Sequence, residues 1–237
     1  MRKFWVYGFG VAWMVGLFVL FFPALFLWPT RAWRREVSRV YARWWSRGCL
    51  WAAGIRVRLE GAEYLGTRPA VFTFNHTSMI DFFVNATFAP PRCLVFGKKE
   101  LVRVPFLGWM WFFGAHPLIE RKNRDQWEVV LRRVENALRS GENSTLIAPE
   151  GTRSRDGRLL PFKKGAFAMA AKTGAPVVPV VLLDVLERYR AGRLRPGTVT
   201  VRVLPPIASD GWDPLDLDAA AKQVRAVYLR ELGDSAA

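Results

Sequence analysis

The stretch Ala70-Val71-Phe72-Thr73-Phe74-Asn75-His76-Thr77-Ser78-Met79-Ile80-Asp81 joins an apolar run to a polar turn and then to a second apolar segment. Residues 70–74 have the aromatic and β-branched content of a buried strand, and residues 79–88 are typical of the start of a helix. The stretch therefore predicts a strand, a turn and a helix. His76 falls in the turn, where polar side chains are exposed to a ligand.

His76 and Asp81 form the first candidate site, because Asp81 follows closely enough to reach back to one ring nitrogen of His76. Such a contact would fix the imidazole tautomer and favour the imidazolium that forms when the other nitrogen accepts a proton. The pair predicts a general base that needs no protein nucleophile. The alternative is an ordinary helix start at which Thr77 or Ser78 is the cap.

The second candidate site is Ala148-Pro149-Glu150-Gly151-Thr152-Arg153-Ser154, which follows a predicted strand and opens a basic loop. Gly151 would let the backbone approach a ligand closely, and Thr152 and Ser154 would supply hydroxyl groups. Arg153 offers a planar fork that matches phosphate oxygens. The alternative is a surface loop with solvated charges.

Together the two motifs resemble those of the glycerolipid acyltransferases that acylate lysophosphatidic acid, a family in which a His-x4-Asp box precedes a Glu-Gly-Thr-Arg box. Residues 115–121, which end in Glu120-Arg121, are similar to the middle block of the family. Residues 175–180 are similar to its last, proline-bearing block, and the resemblance covers residues 55–205. Ala115 and Pro117 depart from the middle block.

The resemblance implies a fatty acyl transfer from acyl-CoA or an acyl carrier protein to the sn-2 hydroxyl of lysophosphatidic acid, which forms phosphatidic acid. His76 would be the general base and Asp81 its partner, and no cofactor or metal would be needed. Backbone amides near the His76 turn are candidate donors to the developing oxyanion. The residues expected to bind the acceptor are Arg121, Glu150, Gly151, Thr152, Arg153 and Lys163.

Within that acceptor site we expect the phosphate to lie among Arg121, Arg153 and Lys163. A carboxylate beside a phosphate is unfavourable, so Glu150 is expected to orient Arg153 or to accept from a glycerol hydroxyl. The same residues are compatible with other functions. The acceptor could be lyso-ornithine lipid or lysophosphatidylglycerol, the pair could activate water in a lipid or thioester hydrolase, or the chain could be a non-catalytic membrane adaptor.

Composition favours a membrane-facing enzyme, since the 237 residues carry a formal net charge of +15. The basic residues alternate with apolar, tryptophan-rich segments, which favours an anionic bilayer over nucleic acid as the partner. Cys49 and Cys93 are isolated, so no zinc spacing occurs and a reducing compartment is compatible. The sequence contains no nucleotide-binding glycine loop and no Gly-x-Ser-x-Gly elbow.

The N-terminal residues 1–53 are predicted to be membrane-anchoring helices, ahead of a catalytic domain at 54–237. Residues 4–28 carry no charge and are long enough to span a bilayer, and arginines then recur at every fourth position from Arg31 to Arg47. The two segments form either one span plus a surface helix or a kinked hairpin in one leaflet. If the first segment spans, the arginines place the catalytic domain on the cytoplasmic side of the plasma or cell inner membrane.

Residues 54–237 predict an α/β fold with a central, mostly parallel sheet covered by helices, preceded by the N-terminal helical pair. Helices are predicted at 125–139, where Asp125 and Glu128 suggest a capping box, and at 213–230. The predicted strands are 55–59, 70–74, 93–96, 117–119, 145–148, 177–183 and 198–204.

Overall fold

The structure is a computed structural model that describes residues 2–28, 30–120, 124–190 and 192–233. The strands are β1 (Ile55–Glu60), β2 (Val71–Phe74), β3 (Cys93–Val95), β4 (Gly97–Lys98), β5 (Leu118–Ile119), β6 (Ser144–Ile147), β7 (Val177–Leu183), β8 (Tyr189–Arg190), β9 (Arg193–Leu194) and β10 (Gly197–Val203). The helices are α1 (Arg2–Phe21), α2 (Ala24–Leu27), α3 (Arg31–Ala52), α4 (Asp81–Phe88), α5 (Leu107–Phe113), α6 (Arg124–Arg139), α7 (Gly165–Thr173), α8 (Val185–Arg188) and α9 (Asp218–Leu232).

A six-stranded sheet forms the centre of the fold, in the order β1-β10-β7-β2-β6-β3. Its neighbours pair in parallel except β7 and β10, which are antiparallel. The predicted mostly parallel sheet is confirmed. β2 lies inside this sheet because both its faces are apolar: Val71 packs on one side and Phe72 on the other.

Helices cover both faces of the sheet. On the Val71 face, α6, α7 and α9 contribute buried side chains that include Val134, Phe167 and Tyr228. On the Phe72 face, the end of α3 and α4 contribute Leu50 and Val84. These two layers hold the carboxyl ends of β2 and β6 at one edge of a rigid core.

The N-terminal helices form an antiparallel hairpin that is packed on the rest of the protein. The Trp45 indole N–H donates to the carbonyl of Gly10 at 2.9 Å, and the Tyr41 hydroxyl donates to that of Met14 at 3.3 Å. α3 also packs on α4 and α5. By length and composition, Phe4–Leu27 is apolar enough to cross a membrane, and little of it is buried. The division at residue 53 stays a prediction.

Two helices begin later than the sequence predicts. α4 begins at Asp81 and not near residue 79, because the backbone N–H groups of Thr77 and Ser78 donate to the Asp81 carboxylate. α9 begins at Asp218 because the carboxylate of Asp213 accepts from a nearby backbone N–H and holds a turn. The capping box predicted at Asp125 involves a side chain outside the described residues.

Candidate active site

The two candidate motifs meet at one edge of the sheet. β2 and β6 are parallel neighbours, so their carboxyl ends lie side by side. The turn after β2 carries His76, and the loop after β6 carries Glu150 to Ser154. Asn75 anchors the turn, because its buried amide both donates to and accepts from the backbone of Leu182 in β7.

The predicted contact between His76 and Asp81 is present, with Nδ1 of His76 2.7 Å from Oδ2 of Asp81. The same oxygen accepts backbone N–H groups from Thr77 and Ser78, each at 2.8 Å. An oxygen that accepts two N–H bonds favours a proton on Nδ1 of the imidazole, which leaves Nε2 with a free lone pair. Asp81 is fully buried, whereas 26% of the His76 side chain is exposed.

The ordinary helix cap considered from the sequence is not found. No side chain caps the start of α4, and the Ser78 hydroxyl donates instead to the carbonyl of Tyr189 at 3.1 Å. The backbone N–H groups of Thr77 and Ser78 thus converge on Asp81. They orient the carboxylate toward the imidazole.

Glu150 is placed differently from the expectation, since its side chain contacts backbone and not Arg153. It is 2% exposed, and its two oxygens accept the N–H of His76 at 2.7 Å and that of Leu160 at 3.0 Å. Burial raises the pKa of this carboxyl, and the two N–H bonds oppose that rise. Glu150 therefore acts as a brace between the two loops.

The second motif also binds the backbone carbonyl of His76. The N–H of Ser154 donates to the carbonyl of His76 at 2.8 Å. The hydroxyl of Ser154, expected to serve a ligand, donates instead to Asp156 at 2.8 Å within its own loop. Both ends of the His76 residue are therefore fixed by the second motif.

Four residues of the second motif line a cavity beside His76: Ala148, Gly151, Thr152 and Arg153. Gly151 has a φ of +67°, and a Cβ there would lie 2.9 Å from Cδ of Lys163. Lys163 is exposed and covers this glycine, while Arg155 and Lys98 join the cavity wall. Arg121 lies outside the described residues.

The cavity has a volume of about 900 Å³ and a mostly apolar wall. The first helix contributes Val6 and Gly10, α3 contributes Trp45, and α5 contributes Met110. His76 and Arg153 belong to the same wall. The arrangement can hold a long apolar group beside the imidazole of His76 and the guanidinium of Arg153.

Sequence reasoning missed the part played by α1 and α5 in this wall. Gly10 and Met110 reach the cavity through packing between distant segments, which no local pattern encodes. Arg155 and Lys98 did have a signal, since both lie in basic stretches close to or between the two motifs. Both add positive charge to the wall that carries Arg153.

The backbone amides expected to stabilise an oxyanion are already engaged. The N–H groups of His76, Thr77 and Ser78 all donate to carboxylates. Within the described ranges, the N–H groups of Thr152 and Arg153 have no protein acceptor. Those same ranges hold no group of His, Cys, Asp and Glu arranged to bind a metal.

Comparison with known proteins gives concordant results. A family profile described as Acyltransferase matches residues 56–183. A 1-acyl-sn-glycerol-3-phosphate acyltransferase from Limnanthes douglasii is 34% identical over 224 residues, which cover 94% of this chain and 77% of the relative. One from Saccharomyces cerevisiae is 32% identical over 208 residues, covering 83% and 69%. The crystal structure of a 1-acyl-sn-glycerophosphate acyltransferase from Thermotoga maritima superposes with a TM-score of 0.80. The match covers 98% of this chain and 94% of that one at 24% identity, which shows a shared fold.

Proposed function

Because the chain belongs to the acyltransferase family of the 1-acyl-sn-glycerol-3-phosphate acyltransferases, we propose that it acylates lysophosphatidic acid. It transfers a fatty acyl group from an acyl thioester to the free sn-2 hydroxyl and forms phosphatidic acid. One observation carries this proposal: the buried Asp81 carboxylate lies 2.7 Å from Nδ1 of a histidine that faces a large apolar cavity.

The proposed reaction needs one base and no covalent enzyme intermediate. Nε2 of His76 takes the proton of the sn-2 hydroxyl as that oxygen attacks the thioester carbonyl. Asp81 stabilises the resulting imidazolium. When the tetrahedral intermediate collapses, the carbon–sulfur bond breaks, and the imidazolium returns its proton to the departing thiolate. The enzyme ends the cycle unchanged.

The cavity supplies the binding groups for this reaction. Its apolar wall suits the acyl chain, because burial of each methylene contributes about 0.8 kcal/mol. Arg153 and Arg155 are the cations that the second motif and its loop add to the wall, and they suit the acceptor phosphate. The unpaired N–H groups of Thr152 and Arg153 are the proposed donors to the oxyanion.

The N-terminal hairpin is proposed to lie in one leaflet of an anionic membrane. Residues 10–14 of α1 pair with residues 41–45 of α3, between Arg39 and Arg47. If α1 crossed the bilayer, Arg39, Arg43 and Arg47 would enter it together, at a cost of about 8–10 kcal/mol. A hairpin in the interface keeps these arginines among lipid phosphates. In this arrangement the active site lies beside the membrane that holds its lipid substrates.

The test is acyl transfer by the purified protein in lipid micelles, with labelled acyl-CoA and a panel of lysophospholipids. Phosphatidic acid formed from lysophosphatidic acid alone, and lost in His76→Ala, would support the acceptor and the base. Asp156→Asn is the control, because Asp156 is exposed and does not contact His76. A second series with acyl carrier protein as the donor identifies the thioester.

Other products would redirect the proposal. An acyl product formed only from lyso-ornithine lipid or lysophosphatidylglycerol would keep the chemistry and change the acceptor. Labelled fatty acid whose release excess lysophospholipid does not suppress would identify a hydrolase. Full activity in His76→Ala would remove the base assignment.

A further inference from the structure

A second depression, separate from the catalytic cavity, lies between the first half of α3 and α6. Its volume is about 620 Å³, and four arginines line it: Arg31, Arg35, Arg132 and Arg133. Among the described residues of its wall, Glu142 is the one acid. None of these five side chains lines the catalytic cavity. The depression is therefore a distinct cationic feature.

Arg35 forms the floor of the depression and is 8% exposed. Its Nη1 donates to the amide oxygen of Asn143, but its Nε has no partner, and no carboxylate in the described chain pairs with it. Burial lowers the pKa of Arg35, and the charges of Arg133 and Arg31 lower it further. A buried guanidinium in a positive field is unfavourable unless an anion joins it.

Three exposed arginines, Arg31, Arg132 and Arg133, form the rim of the depression. They do not neutralise the positive charge of Arg35. Arg132 has only a loose contact with Glu128, 3.9 Å away on the same helix, and exposed pairs of that kind contribute little. Arg133 donates to the carbonyl of Ala115 at 3.1 Å, which leaves its positive charge uncompensated. Three exposed cations thus surround a buried one.

We propose that this depression binds a phosphate group, and that its source is the headgroup of an anionic phospholipid. The planar guanidinium of arginine can donate two N–H bonds to the oxygens of one phosphate. Because Arg35 is buried, a phosphate can reach it only from the open side of the depression. The proposal is independent of acyl transfer, since it involves no residue of the catalytic cavity. The alternative source of the same chemistry is a soluble phosphate compound.

The surroundings of the depression favour the lipid source. Leu27 and Trp28, only three or four residues before Arg31, are 74% and 63% exposed. Trp33 lies two residues after Arg31 and is 37% exposed. Tryptophan beside arginine at the end of an apolar helix is typical of the headgroup zone. A lipid whose acyl chains lie along α2 would bring its phosphate to the rim.

The first arm of the test measures phosphate binding by the full-length protein. Inorganic phosphate, compared with chloride at equal ionic strength, should raise the melting temperature of the wild type. The double variant Arg31→Gln/Arg132→Gln should lose the part of this rise that the depression contributes and keep only the part that phosphate bound at the catalytic cavity gives. Arg56→Gln/Arg58→Gln removes the same charge from exposed positions on β1 and should keep the whole rise. Both pairs leave buried Arg35 in place, so folding is preserved.

The second arm measures binding to vesicles of phosphatidylcholine with and without phosphatidylglycerol. The Arg31/Arg132 variant should bind the mixed vesicles about tenfold more weakly than the Arg56/Arg58 variant, because each arginine near an anionic surface adds to the affinity. Both should bind neutral vesicles alike. Both should acylate in neutral detergent at the wild-type rate, which separates this proposal from the function above.

The outcomes are distinct. If the Arg31/Arg132 variant loses both the phosphate effect and the binding to mixed vesicles, the lipid headgroup is supported. Loss of the phosphate effect with equal vesicle binding supports the phosphate site and assigns it to a soluble phosphate. If the two variants behave alike in both arms, the proposal is overturned.

Discussion

The backbone N–H of His76 donates to Oε1 of Glu150 at 2.7 Å, although the two residues are 74 positions apart in the chain. This bond joins the turn that carries the proposed base to the loop that carries the proposed phosphate site. It makes the position of His76 depend on a buried carboxylate whose two oxygens are both occupied by backbone N–H groups. The two motifs therefore act as one unit.

Glu150→Gln tests this dependence. A glutamine has one carbonyl oxygen, so either His76 or Leu160 loses its acceptor and its N–H faces an NH2 group. A buried N–H without an acceptor lowers the free energy of unfolding by about 1–3 kcal/mol. Part of this loss is offset because the variant no longer buries a charge. A shift of the His76 backbone should lower kcat by about 10- to 100-fold. We expect this fall in kcat with only a small change in melting temperature. Glu142→Gln, at an exposed position, should leave both unchanged.

Asp81→Asn separates geometry from charge. The amide oxygen of the introduced asparagine can occupy the place of Oδ2 and keep the contacts with His76, Thr77 and Ser78, while its NH2 group takes the position of the oxygen that has no partner among the described residues. The charge that stabilises the imidazolium is lost. We expect kcat to fall by about 10²–10⁴-fold, the usual contribution of a positioned acid–base group.

Circular dichroism and melting temperature check that the Asp81→Asn fold is retained. Asp156→Asn is again the control, because it makes the same chemical change in the basic loop without touching His76. If kcat of Asp81→Asn equals that of the control, the carboxylate does not assist the base.

Arg153→Ala should act mainly on the acceptor. Arg153 is exposed to the cavity and has no ion pair among the described residues, so the variant leaves no buried carboxylate behind. A hydrogen-bonded charge is worth about 1.5–3 kcal/mol, so KM for lysophosphatidic acid should rise by about 10- to 100-fold. KM for the acyl donor should stay constant. Arg158→Ala, in the same loop but outside the cavity wall, is the matched control.

Local sequence patterns explain which parts of the site were predicted. β2, the His76 turn and α4 follow each other within one stretch, so the contact between His76 and Asp81 could be predicted from the spacing of the two residues in the sequence. The sheet follows from apolar runs that alternate with helices. The backbone contacts of Glu150 were not predicted, because its partners, the N–H groups of His76 and Leu160, are brought to it by sheet pairing and by a loop closure. A carboxylate in a basic loop gives no sign that it is buried.

His116 provides a prediction about pH. It lines the cavity, its Nδ1 accepts the N–H of Val95 at 3.3 Å, and burial lowers its pKa from 6.5 to about 3, with Arg35 and Arg133 adding to the effect. Between these two pKa values the unfolded chain binds the proton and the folded protein does not. The stability that neutral His116 contributes to the fold is therefore fully present above pH 6.5, and it is lost as the pH falls toward 3.

His116→Asn should reduce that acid sensitivity. The asparagine oxygen takes the place of Nδ1 as the acceptor for Val95, and it does not titrate. Since one pKa unit corresponds to about 1.36 kcal/mol, the wild type should lose about 2 kcal/mol between pH 7 and pH 5 through this histidine, and the variant should not. Melting temperatures measured against pH check this, because the carboxylates that also titrate are common to both proteins. The two curves should diverge below pH 6.5; parallel curves would show that His116 remains protonated on folding.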